Sequence, residues 1–184
     1  MSRILPEFLK LQYSAASIEG RISAMGSQIS EWTEAVVAAG GGDVIGIPVL
    51  RGGIFFFADL VRTIADSIEI APVRTWGYVA GEIGQQREDF EMHLFDLNPK
   101  GRSILLIDDL CDSGRTLKNL TAALTDLGAK EVRSAVLIKR NVGENGFDPD
   151  YVGFEYPGAE WFVGYGMELE DRYRNLPEVY IVQR

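Results

Sequence analysis

The stretch Asp108-Asp109-Leu110-Cys111-Asp112-Ser113-Gly114-Arg115-Thr116 concentrates more reactive chemistry than any other part of this 184-residue chain. Ile104 to Ile107, directly before it, reads as a strand buried on both faces. From Thr116 the apolar spacing turns helical through Leu117, Leu120, Ala123, Leu124 and Leu127, with Gly128 as the stop. A loop between a buried strand and a helix N-terminus offers backbone N–H groups and the positive end of a helix dipole, which suits phosphate. An acidic pair beside such a loop would repel the anion unless it served another group, such as a sugar diol or a metal. The segment therefore calls for a ligand carrying both phosphate and hydroxyls. The bland alternative is an ordinary strand–loop–helix junction with Asp or Ser as N-cap. Neither a Walker A loop nor a three-glycine dinucleotide turn fits the glycine count.

Three further segments hold residues suited to the same ligand. Arg51-Gly52-Gly53 follows a short apolar strand, Val44 to Val49, and enters the aromatic stretch Phe55-Phe56-Phe57. A cation beside two glycines that expose backbone makes a pyrophosphate grip, whereas the three phenylalanines read as core. Lys139 ends the Val132–Ile138 strand, which follows the motif helix and so belongs beside the motif strand; there it could donate to a carbonyl on a flat ligand. Trp161-Phe162-Val163-Gly164-Tyr165-Gly166-Met167-Glu168 offers an aromatic face, a glycine turn and a carboxylate, with Arg174 six residues on.

The elements that must hold these residues alternate. Ser14 caps a predicted helix with an apolar stripe at Ile18, Ile22, Met25, Ile29, Trp32 and Val36, ended by Gly40-Gly41-Gly42. A second helix is expected from about Ile54 to Ile64, strand character from Ile68 to Tyr78, and an irregular polar stretch with hairpin character from Ala80 to Asn98. Trp161–Gly164 and Val179–Val182 read as short final strands. Strands alternating with helices imply an α/β fold with a mostly parallel central sheet flanked by helices, its ligands at the carboxyl ends of the strands. The length suits one substantial core. A net charge of −9 argues against a nucleic-acid or anionic-membrane partner but not against a small anion held in a local basic pocket. With one cysteine, Cys111, an intrachain disulfide is excluded; with no signal-like N-terminus or spanning stretch, the expected location is cytoplasmic.

In order and over nearly the whole chain, these four segments resemble the hypoxanthine-guanine branch of the type I phosphoribosyltransferases. The resemblance runs through Val-Leu-Arg-Gly-Gly-Ile-Phe-Phe-Phe-Ala-Asp-Leu, through Asp108 to Thr116, and through Val-Gly-Phe-Glu at 152–155. It ends with Phe-Val-Gly-Tyr-Gly-Met-Glu and Tyr-Arg-Asn-Leu-Pro at 173–177. It implies one domain over 1–184, with a core at about 35–150 and a small base-binding hood from about 1–15 and 151–184. It further implies transfer of ribose 5-phosphate from phosphoribosyl pyrophosphate to N9 of a 6-oxopurine with Mg²⁺, by a homodimer or homotetramer. Asp108 and Asp109 would hold the ribose diol, directly or through Mg²⁺ water, and Asp112 would act at purine N7. Ser113, Gly114, Arg115 and Thr116 would bind the 5′-phosphate. Arg51, Gly52 and Arg174 would grip pyrophosphate, and Glu168 would anchor the metal. Leu110, Lys139, Trp161 and Phe162 would contact the base, Lys139 at the 6-oxo group. A non-proline cis peptide is expected at Leu50–Arg51.

The departures are specific. Glu168 stands where the family has Asp, Arg51 where Lys is usual, and the lid from Gly77-Tyr78 to about Asp96 matches poorly. A xanthine-preferring enzyme, a non-catalytic sensor of phosphoribosyl pyrophosphate on the same fold and a phospho-acceptor receiver domain are the competing readings.

Overall fold

The computed structural model describes residues 5–71, 74–78, 86–93, 97–140 and 147–183, with the 74–78 and 86–93 segments described as backbone only. The chain runs β1 (Leu9–Tyr13), α1 (Ala15–Ala38), β2 (Val44–Pro48), α2 (Ile54–Val61), β3 (Ile68–Ile70), β4 (Arg74–Tyr78) and β5 (Gln86–His93). It continues with β6 (Ser103–Cys111), α3 (Arg115–Asp126), β7 (Glu131–Arg140), β8 (Tyr151–Tyr156), β9 (Phe162–Val163) and β10 (Val179–Val182).

Five strands form the parallel sheet the alternating pattern predicts, in the order β3-β2-β6-β7-β8. Its strands are apolar on both faces because helices cover both. On one face Leu105, Ile107, Ala135 and Leu137 pack with the stripe of α1 and with Phe56, Phe57 and Leu60 of α2. On the other, Ile45, Ile47, Ile104 and Leu106 pack with Leu117, Leu120 and Leu124 of α3. A second sheet, antiparallel in the order β1-β10-β9, joins the two ends of the chain, with Leu9 opposite Val182 and Ile181 opposite Phe162. β4 and β5 pair antiparallel; of the two strands only β5 lies in the Ala80–Asn98 stretch expected to have hairpin character, its partner coming from the strand-like segment before it. The remainder of the expected lid, 79–85 and 94–96, lies outside the described residues.

Local chemistry sets the boundaries. The Ser14 side chain accepts a hydrogen bond from Ser17 N–H at 3.2 Å, so the expected cap of α1 is present. α3 ends in a paired turn, with Gly128 N–H donating to Thr125 O at 2.9 Å and Ala129 N–H to Leu124 O at 3.0 Å. Gly128 sits at φ +91°, a conformation glycine enters without strain.

Three expectations need correction. β6 does not stop at Ile107: Asp108, Leu110 and Cys111 continue the ladder opposite Val136, Ile138 and Lys139, because ladder bonds engage the backbone whatever the side chain. α2 stops at Val61, where Thr63 N–H donates to Leu60 O in a turn. Phe55 is not core, being 42% exposed, while Phe56 and Phe57 are buried as expected.

Candidate active site

A parallel sheet sends all its strands out at one edge, so Val49–Gly53 after β2, Asp112–Gly114 after β6, the end of β7 and the turn after β8 emerge together. The contacts between them are close. Gly53 lies flat on β6: a Cβ built there would meet Val49 O at 2.8 Å, Ile107 O at 3.1 Å and the Asp108 Cα at 3.2 Å. Beside it, a Cβ on Gly52 would fall 2.6 Å from Oδ1 of Asp109 and 2.7 Å from its Cγ. Gly166 in turn backs onto Gly52, where a Cβ would come within 3.0 Å of the Gly52 carbonyl carbon. Two turns that are far apart in the chain thus meet each other and the end of β6, and glycine is what permits each approach. The Leu50–Arg51 peptide is cis, as expected.

Asp108 is buried and Asp109 half-buried, and the Asp109 N–H donates to Oδ1 of its neighbour at 2.9 Å. Burial, then the adjacent Asp109 charge, pushes the Asp108 carboxyl well above its usual range. Burial also raises Asp109, against lowering contributions that include the charge of Arg174. Two carboxylates held together in this way suit hydroxyl donors or a hydrated cation. Cys111 beside them is 2% exposed, and burial followed by the Asp108 charge raises its thiol to about 11. It packs as a small core residue and is no nucleophile.

The loop after β6 turns at Gly114, whose φ of +71° favours glycine, and Gly114 is also the N-cap of α3. With no side chain at that position, the first-turn N–H groups face outward, apart from a long 3.5 Å contact from Arg115 N–H to Ser113 Oγ. Ser113, Arg115 and Thr116 are exposed around it. Phe147 closes the other side, where a Cβ on Gly114 would fall 2.7 Å from its Cβ.

Lys139 pairs with Asp148 and its side chain is only 17% exposed; the hydrogen bond it donates to Asp148 raises the lysine, so it is a fixed cation rather than a solvated one. Its strand partner is Cys111, which puts it one position from Asp112. Leu110 is partly buried and packs against the core layer shared by α1 and α2. Phe162 is buried and meets Tyr156 edge-on with ring centroids 4.9 Å apart. Trp161 is 55% exposed, with its indole N–H donating to Glu168 O at 2.6 Å.

Around the glycine turn, Arg51 and Arg174 share one oxygen of Asp171, at 3.1 and 3.3 Å. Arg174 also donates to Gly166 O at 2.8 Å. Glu168 accepts from Asp171 N–H through Oε2. This turn holds four non-glycine residues at positive φ: Tyr165, Glu170, Asp171 and Tyr173. The Tyr165 hydroxyl anchors it by donating to Asp59 Oδ2 of α2 at 2.5 Å. Burial, and the bond to Asp59, hold that phenol far above its ordinary range.

Comparisons with known proteins give the family. A family model described as a phosphoribosyl transferase domain matches residues 20–168. The chain belongs to the phosphoribosyltransferase family. Among similar proteins, the hypoxanthine-guanine phosphoribosyltransferase of Aquifex aeolicus (strain VF5) is 30% identical over 187 residues, covering 100% of this chain and 99% of that one. The enzyme of the same name from Bacillus subtilis (strain 168) is 30% identical over 178 residues, covering 95% and 93%. A solved hypoxanthine phosphoribosyl transferase from Trypanosoma cruzi superposes with a TM-score of 0.80 at 26% identity, covering 99% of this chain and 95% of the other. A hypoxanthine phosphoribosyltransferase from Staphylococcus aureus, at 21% identity and a TM-score of 0.82 over 95% and 91%, shares the fold.

Within this phosphoribosyltransferase, three charged residues at the site escaped the sequence reading. Asp171 bridges two arginines across 120 positions, and only the acidic run Glu168-Leu169-Glu170-Asp171 ahead of Arg172 and Arg174 hinted at it. Asp148 reaches Lys139 from the start of the segment leading into β8, which no spacing reveals. Arg140 lies beside Asp112, 3.1 Å away.

Proposed function

We propose that this chain salvages purines by moving 5-phosphoribosyl from phosphoribosyl pyrophosphate to N9 of hypoxanthine or guanine, giving the nucleotide and pyrophosphate. The observation that carries the reading is the meeting of Gly52, the Asp109 carboxylate and Gly166, which brings a basic turn, an acidic pair and an aromatic turn around one space. In this reading the exposed first turn of α3, with Ser113, Arg115 and Thr116, takes the 5′-phosphate, and Asp108 and Asp109 take the ribose diol. Arg51 and Arg174 exchange Asp171 for the pyrophosphate, whose charge they neutralise as it leaves C1.

Lys139 donates to the 6-oxo group, which adenine lacks, and Trp161 offers its exposed face to the ring. Phe162 and Leu110 complete the base side. Asp112 receives or stabilises the purine proton as N9 attacks, with N9 held in line with C1. The adjacent carboxylates form an all-oxygen donor set suited to Mg²⁺ in its water shell, with Glu168 as the further acid at the glycine turn. When bound, Mg²⁺ would neutralise the negative charge of the pyrophosphate. We read residues 1–184 as one phosphoribosyltransferase domain. Its core, about 35–150, binds phosphoribosyl pyrophosphate, and a hood from about 1–15 and 151–184 covers the base. We place it in the cytoplasm as a homodimer or homotetramer.

The test is nucleotide formation from phosphoribosyl pyrophosphate and Mg²⁺ with hypoxanthine, guanine, xanthine and adenine in parallel. Hypoxanthine or guanine is expected to react fastest. Adenine turnover above hypoxanthine would refute the role of Lys139, and binding without turnover would favour the sensor.

A further inference from the structure

Arg140 is the most deeply buried guanidinium at the site, its side chain 6% exposed, and nothing in the mechanism above uses it. Its position follows from the ladder. Cys111 pairs with Lys139 and Arg140 with Tyr156, so the residue after Cys111 and the residue after Lys139 stand side by side at the sheet edge. Side chains alternate along a strand, so Lys139 and Arg140 leave β7 on opposite faces. Lys139 turns toward Asp148, and Arg140 turns under the second sheet.

There the guanidinium is committed on every edge. One terminal nitrogen donates to Gly158 O at 2.8 Å and the other to Glu160 O at 2.6 Å. Its plane lies 4.6 Å from the centroid of Phe162 and 6.0 Å from that of Tyr156. The third nitrogen, Nε, faces Asp112 Oδ1 at 3.1 Å. A guanidinium is planar and never loses its charge, so fixing two of its edges fixes where the third points. Asp112 itself is 65% exposed. One oxygen rests on the buried cation while the carboxylate remains open to a ligand. The two carbonyls that hold Arg140 flank Ala159, and the second belongs to the residue before Trp161.

We propose that Arg140 is a positioning residue for base transfer: it orients the Asp112 carboxylate and links it rigidly to the 158–162 turn that presents Trp161 and Phe162. The claim rests on the reading of Asp112 as the group that acts on the purine, and it adds why that carboxylate keeps its aim on an exposed loop. Base and carboxylate are then located by one side chain, and a shift of the turn moves both together.

The experiment is a double-mutant cycle with full-length protein, combining Arg140→Met and Asp112→Asn, with CD and thermal melts to verify folding. Arg140→Met is expected to lower kcat with hypoxanthine by roughly 10–100-fold while KM for phosphoribosyl pyrophosphate stays within about twofold. The double variant should lose clearly less than the product of the two single losses, because the part of the Arg140 effect that passes through Asp112 is already gone while its hold on the 158–162 turn remains. Arg140→Lys keeps the cation and gives up the planar fork, so its kcat should fall between wild type and Arg140→Met. Should Arg140→Met not fold, the same cycle is run with Arg140→Lys and the same non-additivity is expected. Losses that multiply in the cycle would overturn the proposal, as would a loss carried by KM for phosphoribosyl pyrophosphate with kcat unchanged. A wild type that forms no nucleotide would instead sink the reading of the function itself.

Discussion

Placing one methyl group at Gly52 tests the geometry on which the site depends. A Cβ there would lie 2.6 Å from Asp109 Oδ1 and 2.7 Å from Cγ, while ordinary contacts begin near 3.4 Å. The backbone of Gly52 is not in the left-handed region, so alanine fits its conformation, and the three nearest atoms it would meet all belong to the Asp109 carboxylate. The nearest atom is Asp109 Oδ2, closer still than Oδ1, so the half-buried carboxylate must retreat by about 1 Å to reach ordinary contact. Overpacking costs about 1–3 kcal/mol, and a side chain able to move puts this case at the low end.

The catalytic cost is larger, because displacing a positioning group by about 1 Å can cost about 10²-fold. Gly52→Ala should therefore melt within a few degrees of wild type but lose about 10²-fold in kcat/KM for phosphoribosyl pyrophosphate. The assay is initial rates at saturating hypoxanthine. Gly166→Ala meets backbone rather than a movable side chain, at φ +102°, and should lose both stability and activity. Gly20→Ala is the control: its Cβ meets nothing within 4 Å in an exposed turn of α1, so it should gain about 0.5–1 kcal/mol with activity unchanged. A folded Gly52→Ala enzyme within threefold of wild type would show that Asp109 need not be where Gly52 leaves room for it.

Two further predictions concern ionisation. Burial alone would raise Glu131, but hydrogen bonds donated by Arg133 at 2.7 Å and by the Trp32 indole at 3.1 Å bring it below its ordinary 4.5. A depressed carboxylate stabilises the fold above its unfolded pKa and loses that contribution as pH falls through the folded value. Urea unfolding followed by tryptophan fluorescence should show Glu131→Gln weaker by about 1 kcal/mol at pH 7, with the gap closing below pH 4.5; a gap independent of pH would contradict the assignment. The Cys111 thiol, raised to about 11 and 2% exposed, should resist iodoacetamide at pH 8 in the native protein and react once urea unfolds it. Rapid native labelling would mean that β6 opens at the motif.

What could be read from the sequence divides by the range of the interaction that fixes it. α1 was legible because its stripe and its Ser14 cap are written within four-residue reach. β10 was legible for a similar reason, as four apolar residues between polar ones. β8 was not assigned, because Gly153 interrupts Tyr151–Tyr156; the reason for that glycine lies in another strand, where a Cβ would meet Leu137 O at 2.6 Å. The extension of β6 through the acidic pair was hidden in the same way, since its partner strand supplies the ladder that holds Asp108. At the site, residue types suggested which ligand groups to expect, but the pairings that hold those residues did not show: Asp171 on Arg51 and Arg174, Asp148 on Lys139, Arg140 on Asp112. Except for Asp171 with Arg174, each pairing joins an acid and a base from different segments, so no single segment reveals it. Opposite charges crowded at one edge of a sheet must neutralise one another until a ligand with both anionic and hydroxyl groups takes their place. On the proposed function such a ligand would exchange ion pairs for ion pairs, so that binding reorganises charge already present while the Arg140–Asp112 pair is kept.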